Sequence, residues 1–208
     1  LKNSELILCE DTRTSIKLLR RYNINKTLVP YHKFNERKNL NKVINLIKNN
    51  RIVSLISDAG TPIISDPGTI LIRECVKNKI ALHPIPGPSA VTSALSISGF
   101  EDKFLFYGFL PNTISQIENE IKKLSNFPYT IVFFVSPKKI DKILKILKKF
   151  FSDRKIMIAK EMTKIHEKFI RDNVSSIDNL SEGLKGEFTV VISEKFGENK
   201  IKDVINES

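Results

Sequence analysis

Along the first half of the chain, short apolar runs alternate with stretches whose apolar residues recur at three- and four-residue spacing. The runs Glu5 to Cys9, Thr27 to Tyr31, Ile52 to Ser57 and Ala81 to Ile85 predict strands. Thr14 to Tyr22, Glu36 to Asn49 and Thr69 to Lys77 predict amphipathic helices, and a further helix opens after Pro88. Strands that are apolar without alternation are buried on both faces, so this βαβ rhythm predicts a mostly parallel sheet with helices on both sides. The texture changes near Lys103. KFLFYGFL, TIVFFV, KIMIAK, EKFIRD and EFTVVIS are β-rich, and helical patterns at Ser115 to Leu124 and Lys138 to Phe150 separate some of them. They predict a second α/β domain with more antiparallel pairing. Gly99 to Lys103 is the expected linker, which divides the chain into residues 1–100, residues 101–197 and a polar tail, 198–208.

Composition narrows the class. The 208 residues are 41% hydrophobic and 27% charged, which suits a folded chain with a substantial core and excludes a disordered one. No apolar run is long enough to span a bilayer, and the opening LKNSELILCE lacks the basic flank and cleavage site of a signal peptide, so a cytoplasmic location is expected. The chain opens almost directly on a predicted strand, which leads us to expect an upstream segment. Cys9 and Cys75 each lie in an apolar segment and read as buried reduced thiols. His32, His83 and His166 are far apart, and no metal site is expected from them. The net charge of +11 fits a polyanionic partner such as nucleic acid. The abundance of Lys, Asn and Ile that AT-rich coding produces gives the same charge with no partner at all.

Three loops carry the candidate chemistry. SDAGTPIISDPG, Ser57 to Gly68, lies between a predicted buried strand and a helix, at the strand end where open α/β sheets bind ligands. Gly60 and Gly68 permit tight turns, Pro62 and Pro67 stiffen them, and Asp58 and Asp66 can accept hydrogen bonds from ribose hydroxyls or an amino group; a structural turn is the alternative. PIPGPSA, Pro84 to Ala90, has the same placement, with Ser89 as the expected cap of the following helix. CEDTRTS, Cys9 to Ser15, follows the first strand; Asp11 or Thr12 can cap a helix, while Glu10 and Arg13 can contact substrate or each other. The Walker loop, GxGxxG, HExxH and GxSxG signatures are missing. Lys138, Lys142, Lys145 and Lys149 form one basic helix face, suited to phosphates or simply solvated.

Taken in order and spacing, CEDTRTS, SDAGTPIISDPG, PIPGPSA, YGFLP and EMTKIHEKF resemble the ribosomal RNA small-subunit methyltransferase I family of the tetrapyrrole methylase superfamily. The resemblance covers nearly the whole chain. It implies two α/β domains of the tetrapyrrole methylase type, S-adenosylmethionine in the interdomain cleft, a homodimer, and 2'-O-methylation of a cytidine in the decoding region of 16S rRNA, within the small ribosomal subunit. It also implies that Asp58, Ala59, Gly60 and Thr61 line one side of the cofactor, that Pro88, Ser89 and Ala90 line another, and that Phe134, Met162 and Thr163 close it. Asp11, Asp66 and Lys164 become the candidates for base or orienting group, and Arg13 and Lys164 for RNA phosphate contacts.

The chain departs from the family in several places. The TPIGNL-like loop that members carry upstream is not in this sequence. VSPKK (Val135 to Lys139) stands where members show an ESPHR-like stretch, and PNT (Pro111 to Thr113) where they show a basic one, so RNA contacts do not transfer to those positions. The family's extra segment after GEFTVVI is here a short tail. A tetrapyrrole or other small-molecule methyltransferase, and a non-catalytic RNA-binding relative, are the alternative readings.

Overall fold

The computed structural model describes residues 1–49, 51–178, 180 and 186–195. The chain divides into two compact units, Leu1–Ser89 and Ala90–Ser208. The expected polar tail, 198–208, lies outside the described residues.

The first unit runs β1 (Leu6–Cys9), α1 (Thr12–Arg21), β2 (Thr27–Pro30), α2 (Glu36–Lys48), β3 (Val53–Ile56) and α3 (Thr69–Lys77). Its three strands pair in parallel in the order β2-β1-β3. The central strand β1 (LILC) is buried at every position, as a parallel strand covered on both faces must be. Leu6 and Leu8 point to one face, where Val43 and Ile44 of α2 and Leu71 and Cys75 of α3 pack on them. Cys9 takes the opposite face, beside Ser15 of α1. Both cysteines are free and buried.

One expected strand does not form. Residues 81–89 carry no strand, and Ile85 is exposed. Pro84, Pro86 and Pro88 have no backbone N–H, so every second residue of this stretch lacks the donor that a strand ladder requires.

The second unit runs α4 (Ala90–Ser96), β4 (Phe104–Phe109), α5 (Ile114–Leu124), β5 (Thr130–Val135), a 3-10 turn at Pro137–Lys139, α6 (Ile140–Phe150), β6 (Lys155–Lys160), β7 (Lys168–Asn173) and β8 (Phe188–Ile192). The strand order is β4-β5-β8-β6-β7, with β4 and β5 parallel and every other pair antiparallel. Alternation along β5 separates two cores. Ile131, Phe133 and Val135 face Ile117 and Ile121 of α5 and Ile143, Leu144 and Leu147 of α6, whereas Val132 and Phe134 face Val91 and Ala94 of α4. Each such fully buried aliphatic or aromatic side chain contributes roughly 1.5–3 kcal/mol. Because α4 packs on the sheet of the second unit, the chain divides before this helix, whereas the expected division at residue 100 follows it.

Arg154 is 1% exposed. Its guanidinium donates to the carbonyls of Phe127 at 2.6 Å, Ser125 at 2.9 Å and Ser193 at 3.1 Å, and it lies over the Phe151 ring. Burial pushes its pKa down. One cation thus satisfies three carbonyls at one end of the sheet, tying the loop before β5 to the end of β8.

Candidate functional site

In the first unit the parallel strands end together, and their carboxyl ends carry the loops singled out by sequence. Asp11 follows β1 and caps α1: its Oδ1 accepts from the Arg13 amide at 2.8 Å. The Arg13 side chain closes on the same carboxylate, Nε at 3.1 Å from both oxygens and a terminal nitrogen at 2.6 Å. Hydrogen bonds from the Arg13 side chain and amide lower the Asp11 pKa to about 2. Arg13 therefore pairs with Asp11 and not with Glu10. A carboxylate held that low is a weak base, and its geometry is that of a group that orders the start of α1.

The loop 57–68 meets its neighbours on both sides. The Asp11 amide donates to Asp58 Oδ1 at 3.3 Å, which joins the loop after β1 to the loop after β3. Thr61 Oγ1 donates to the Pro88 carbonyl at 3.1 Å, which joins the loop after β3 to the PIPGPSA segment. Ser57 Oγ donates to the carbonyls of Ala59 at 3.1 Å and Gly60 at 3.3 Å, tightening the turn. Gly60 has φ +70°, and a Cβ there would sit 4.0 Å from the Pro88 carbonyl, in the space between the two loops. Ser89 closes the segment, half-buried.

The same loop holds backbone that ordinary residues avoid. Ile63 and Ser65 have φ of 79° and 68°, and a β-branched residue in that region is strained. Gly68, which leads into α3, has φ +126°, and a Cβ would lie 2.7 Å from Leu55 Cδ2, so glycine is required. Its amide donates to the carboxylate of Glu36, a buried residue at the start of α2. Sequence reasoning missed this clamp. A glutamate in the first turn of a helix reads locally as a partner of the helix dipole, and nothing local points it at a glycine 32 residues away.

Carboxylates gather here as well. Partial burial pushes the Glu10 pKa up, and the charges of Asp66 and Asp58 push it further, partly offset by His32. Asp66 and Asp58, from the loop after β3, thus share a field with Glu10 at the end of β1. The loop 57–68 contains no lysine or arginine. The loop 57–68, with Glu10 beside it, is therefore negative and rich in carbonyls, suited to a ligand carrying a cationic centre, an amine or ribose hydroxyls.

The second unit holds the remaining predicted residues, with Phe134 and Met162 in one apolar cluster and Thr163 and Lys164 in the loop after β6. Ala90 opens α4. The Phe134 ring meets Phe106 edge-on with centroids 5.0 Å apart and lies tilted against Phe109 at 5.4 Å, and Met162 packs in the same apolar cluster. Glu161 and Thr163 have φ of 49° and 64°, a second concentration of strained backbone in a loop singled out by sequence. The Thr163 amide donates to Glu167 Oε2 at 2.6 Å. Glu161 accepts from the Glu187 amide at 2.8 Å.

Lys164 lies 2.9 Å from Glu187 Oε2 and 3.1 Å from Glu161 Oε1. The bond to Glu187, with that to Glu161, raises its pKa, so it stays an ammonium. In that geometry Lys164 is the cation that ties the loop after β6 to Glu187, the residue before β8. It touches two carboxylates, where a free phosphate-binding lysine would touch none.

The profile of the Tetrapyrrole (Corrin/Porphyrin) Methylases matches residues 1–178. The chain is 41% identical over 198 residues to a protein of Thermotoga maritima named ribosomal RNA small subunit methyltransferase I, covering 94% of this chain and 89% of that one. It is 44% identical over 193 residues to a Mycoplasmopsis pulmonis protein of the same name, covering 92% and 86%. Among solved structures it resembles cobalt precorrin-4 methyltransferase, a cobalamin biosynthetic enzyme, with TM-score 0.64 at 14% identity over 93% of this chain and 85% of that one. It also resembles uroporphyrin-III C-methyl transferase from Thermus thermophilus in complex with S-adenosylhomocysteine, with TM-score 0.61 at 13% identity over 93% and 87%. With its strand ends, strained glycine loops and both units accounted for, the chain belongs to the tetrapyrrole (corrin/porphyrin) methylase family.

Proposed function

We propose that the protein is an S-adenosylmethionine-dependent methyltransferase of small-subunit ribosomal RNA, acting on the ribose 2'-oxygen of a cytidine in the decoding region of 16S rRNA. The observation that carries the reading is the joined pair of loops, 57–68 and 84–90, in a chain that is 41–44% identical to relatives named ribosomal RNA small subunit methyltransferase I. The residues fit the cofactor. A sulfonium and an α-amino group are cations, and the edge built from Asp58, the Ala59 and Gly60 carbonyls, Asp66 and Glu10 presents acceptors without a competing lysine or arginine in loop 57–68.

Asp58, Ala59, Gly60, Thr61, Pro88 and Ser89 of the first unit would hold S-adenosylmethionine, which supplies an activated methyl group when bound. Ala90, Phe134, Met162 and Thr163 are the second unit's proposed contribution. The protein's task is alignment. Gly60 leaves room for close backbone approach, and the Thr61–Pro88 bond keeps the two loops at a fixed spacing. Asp66, which lies in the loop after β3 and shares its field with Glu10, is the group proposed to orient the ribose hydroxyl and receive its proton; Asp11 orders the α1 cap with Arg13. Lys164 organises its loop, and any contact it makes with RNA phosphate must compete with Glu161 and Glu187.

A small-molecule reading is favoured by the corrin and porphyrin enzymes among the structural neighbours; the net charge of +11 favours a polyanion instead. No helix among the described residues is long and apolar enough to cross a membrane. A homodimer working on the small subunit in the cytoplasm completes the proposal. Mapping 2'-O-methyl groups in 16S rRNA from cells with and without the gene tests it. One decoding-region cytidine is expected to lose its methyl group, and an unchanged map overturns the proposal. Calorimetry adds the cofactor arm: Gly60→Val should abolish S-adenosylmethionine binding, and unchanged affinity would remove the loop from the site.

A further inference from the structure

The loop between β2 and α2, His32 to Asn35, belongs to none of the motifs discussed above, yet it leaves the same strand edge of the first unit. It is rigidly built. Asn35 Oδ1 accepts from the His32 amide at 2.8 Å, Asn35 Nδ2 donates to the Pro30 carbonyl at 2.9 Å, and the Asn35 and Glu36 amides donate to the His32 carbonyl at 2.9 and 3.1 Å. Glu36 then grips Gly68, so the loop is anchored to the end of the cofactor loop. At the tip of this braced turn stands Phe34, 95% exposed, touching the His32 ring with planes at 62° and centroids 6.1 Å apart. Lys33, Arg37 and Lys38 surround it in sequence, are exposed, and make no ion pair among the described residues.

We propose that Phe34 is a stacking platform for an unpaired base of the RNA substrate, with Lys33 and Arg37 holding the phosphates on either side of that nucleotide. The inference rests on the RNA-methyltransferase reading above and adds the residues that would recognise a single strand. An aromatic face open to solvent, ringed by unpaired cations, is the combination by which proteins hold single-stranded nucleic acid: the ring takes the base, and the cations take the backbone. A fixed turn loses little freedom when it binds, which suits a platform and not a flexible tether. Its neighbours at the strand edge are Glu10 and Asp11, after the adjacent strand β1, and Gly68, through Glu36, so a nucleotide stacked on Phe34 is delivered beside the loop proposed to hold the methyl donor.

The chain contains no tryptophan, so Phe34→Trp places a single indole fluorophore at the platform. The full protein is titrated with a single-stranded oligoribonucleotide from the small-subunit decoding region, with the same sequence as a duplex, and with heparin as a polyanion without bases. Filter binding gives RNA affinity, calorimetry gives S-adenosylmethionine affinity, and sedimentation gives oligomeric state. The expected result has four parts. The single strand quenches the indole fluorescence of Phe34→Trp more than the duplex does; Phe34→Ala weakens single-strand binding roughly tenfold while Phe34→Tyr keeps it within about threefold; heparin binding is the same in all variants; and cofactor affinity does not change.

RNA binding by Phe34→Ala equal to that of the unaltered protein, or binding without quenching, overturns the platform and leaves the proposed activity standing. An unaltered protein that transfers no methyl group to RNA defeats the activity itself, and that result is read without any variant. A Phe34→Ala protein that falls to monomers and loses RNA affinity only in step with dissociation overturns the platform too, and shows instead that the patch is a contact between copies of the chain.

Discussion

Asp11 and Arg13 show what a two-residue spacing can do at a helix start. The pair holds the Asp11 pKa at about 2 against an ordinary 3.8. A lowered carboxylate pKa means that the interaction is fully present above the ordinary value and is lost as pH falls through about 2. Carboxyl NMR titration should therefore place the Asp11 midpoint near 2, and Arg13→Ala should return it part of the way to 3.8, since the amides of residues 13 and 14 still donate to the carboxylate. The pair is exposed, so little change in unfolding free energy should accompany this. Arg154 is the opposite case. Replacing it with Met takes the Arg154 donor from the buried carbonyl of Ser193 and the partly buried carbonyls of Phe127 and Ser125, and denaturant unfolding should show a loss of roughly 2–4 kcal/mol. Asp11 was legible as a cap because capping is local. Arg154 was not, because its partners lie 27, 29 and 39 residues away.

Loops and strands respond as units. The loop 57–68 is held at three points: Asp58 to the loop after β1, Thr61 to Pro88, and Gly68 to Glu36. Thr61→Val keeps the shape of the side chain and removes only the bond to Pro88. S-adenosylmethionine affinity measured by calorimetry should fall by roughly tenfold, with the thermal midpoint shifting only a few degrees, since one neutral hydrogen bond is worth roughly 1 kcal/mol and the rest of the effect is lost loop spacing. Unchanged affinity would show that the spacing does not matter to the ligand. Placement of this loop at a strand end was legible from the buried run before it and the helix after it. Its coupling to the proline-rich segment was not, because the apolar run Ala81 to Ile85 suggests a strand, and the missing amide donors that forbid one also free the segment to meet Thr61.

At the scale of the whole molecule, charge and assembly are the properties to measure. An excess of +11 charges makes any RNA complex strongly salt-dependent. Affinity for small subunits should drop at least tenfold between about 50 and 200 mM salt, while S-adenosylmethionine affinity stays nearly constant. Equal salt sensitivity of both ligands would argue against an RNA substrate. For a homodimer, sedimentation at micromolar concentration should report twice the 23.7 kDa of this chain, and a clean monomer would remove dimerisation from the proposal.

Hydrophobic periodicity by itself determined that the chain is α/β and that its first sheet is parallel, since a period of two or of three to four is written into neighbouring residues. It also determined where glycine and proline loops leave strands. Only the tertiary structure decided that β8, the last described strand, enters the sheet between β5 and β6, because strand order depends on which distant edges are open and not on the pattern within a strand. The tertiary structure likewise paired Lys164 with Glu161 and Glu187, aimed Glu36 at Gly68, and left Phe34 uncovered at the tip of its turn. A side chain's chemistry is fixed by its type, but its pKa, its partner and its exposure are set by what the rest of the chain brings within a few ångströms of it.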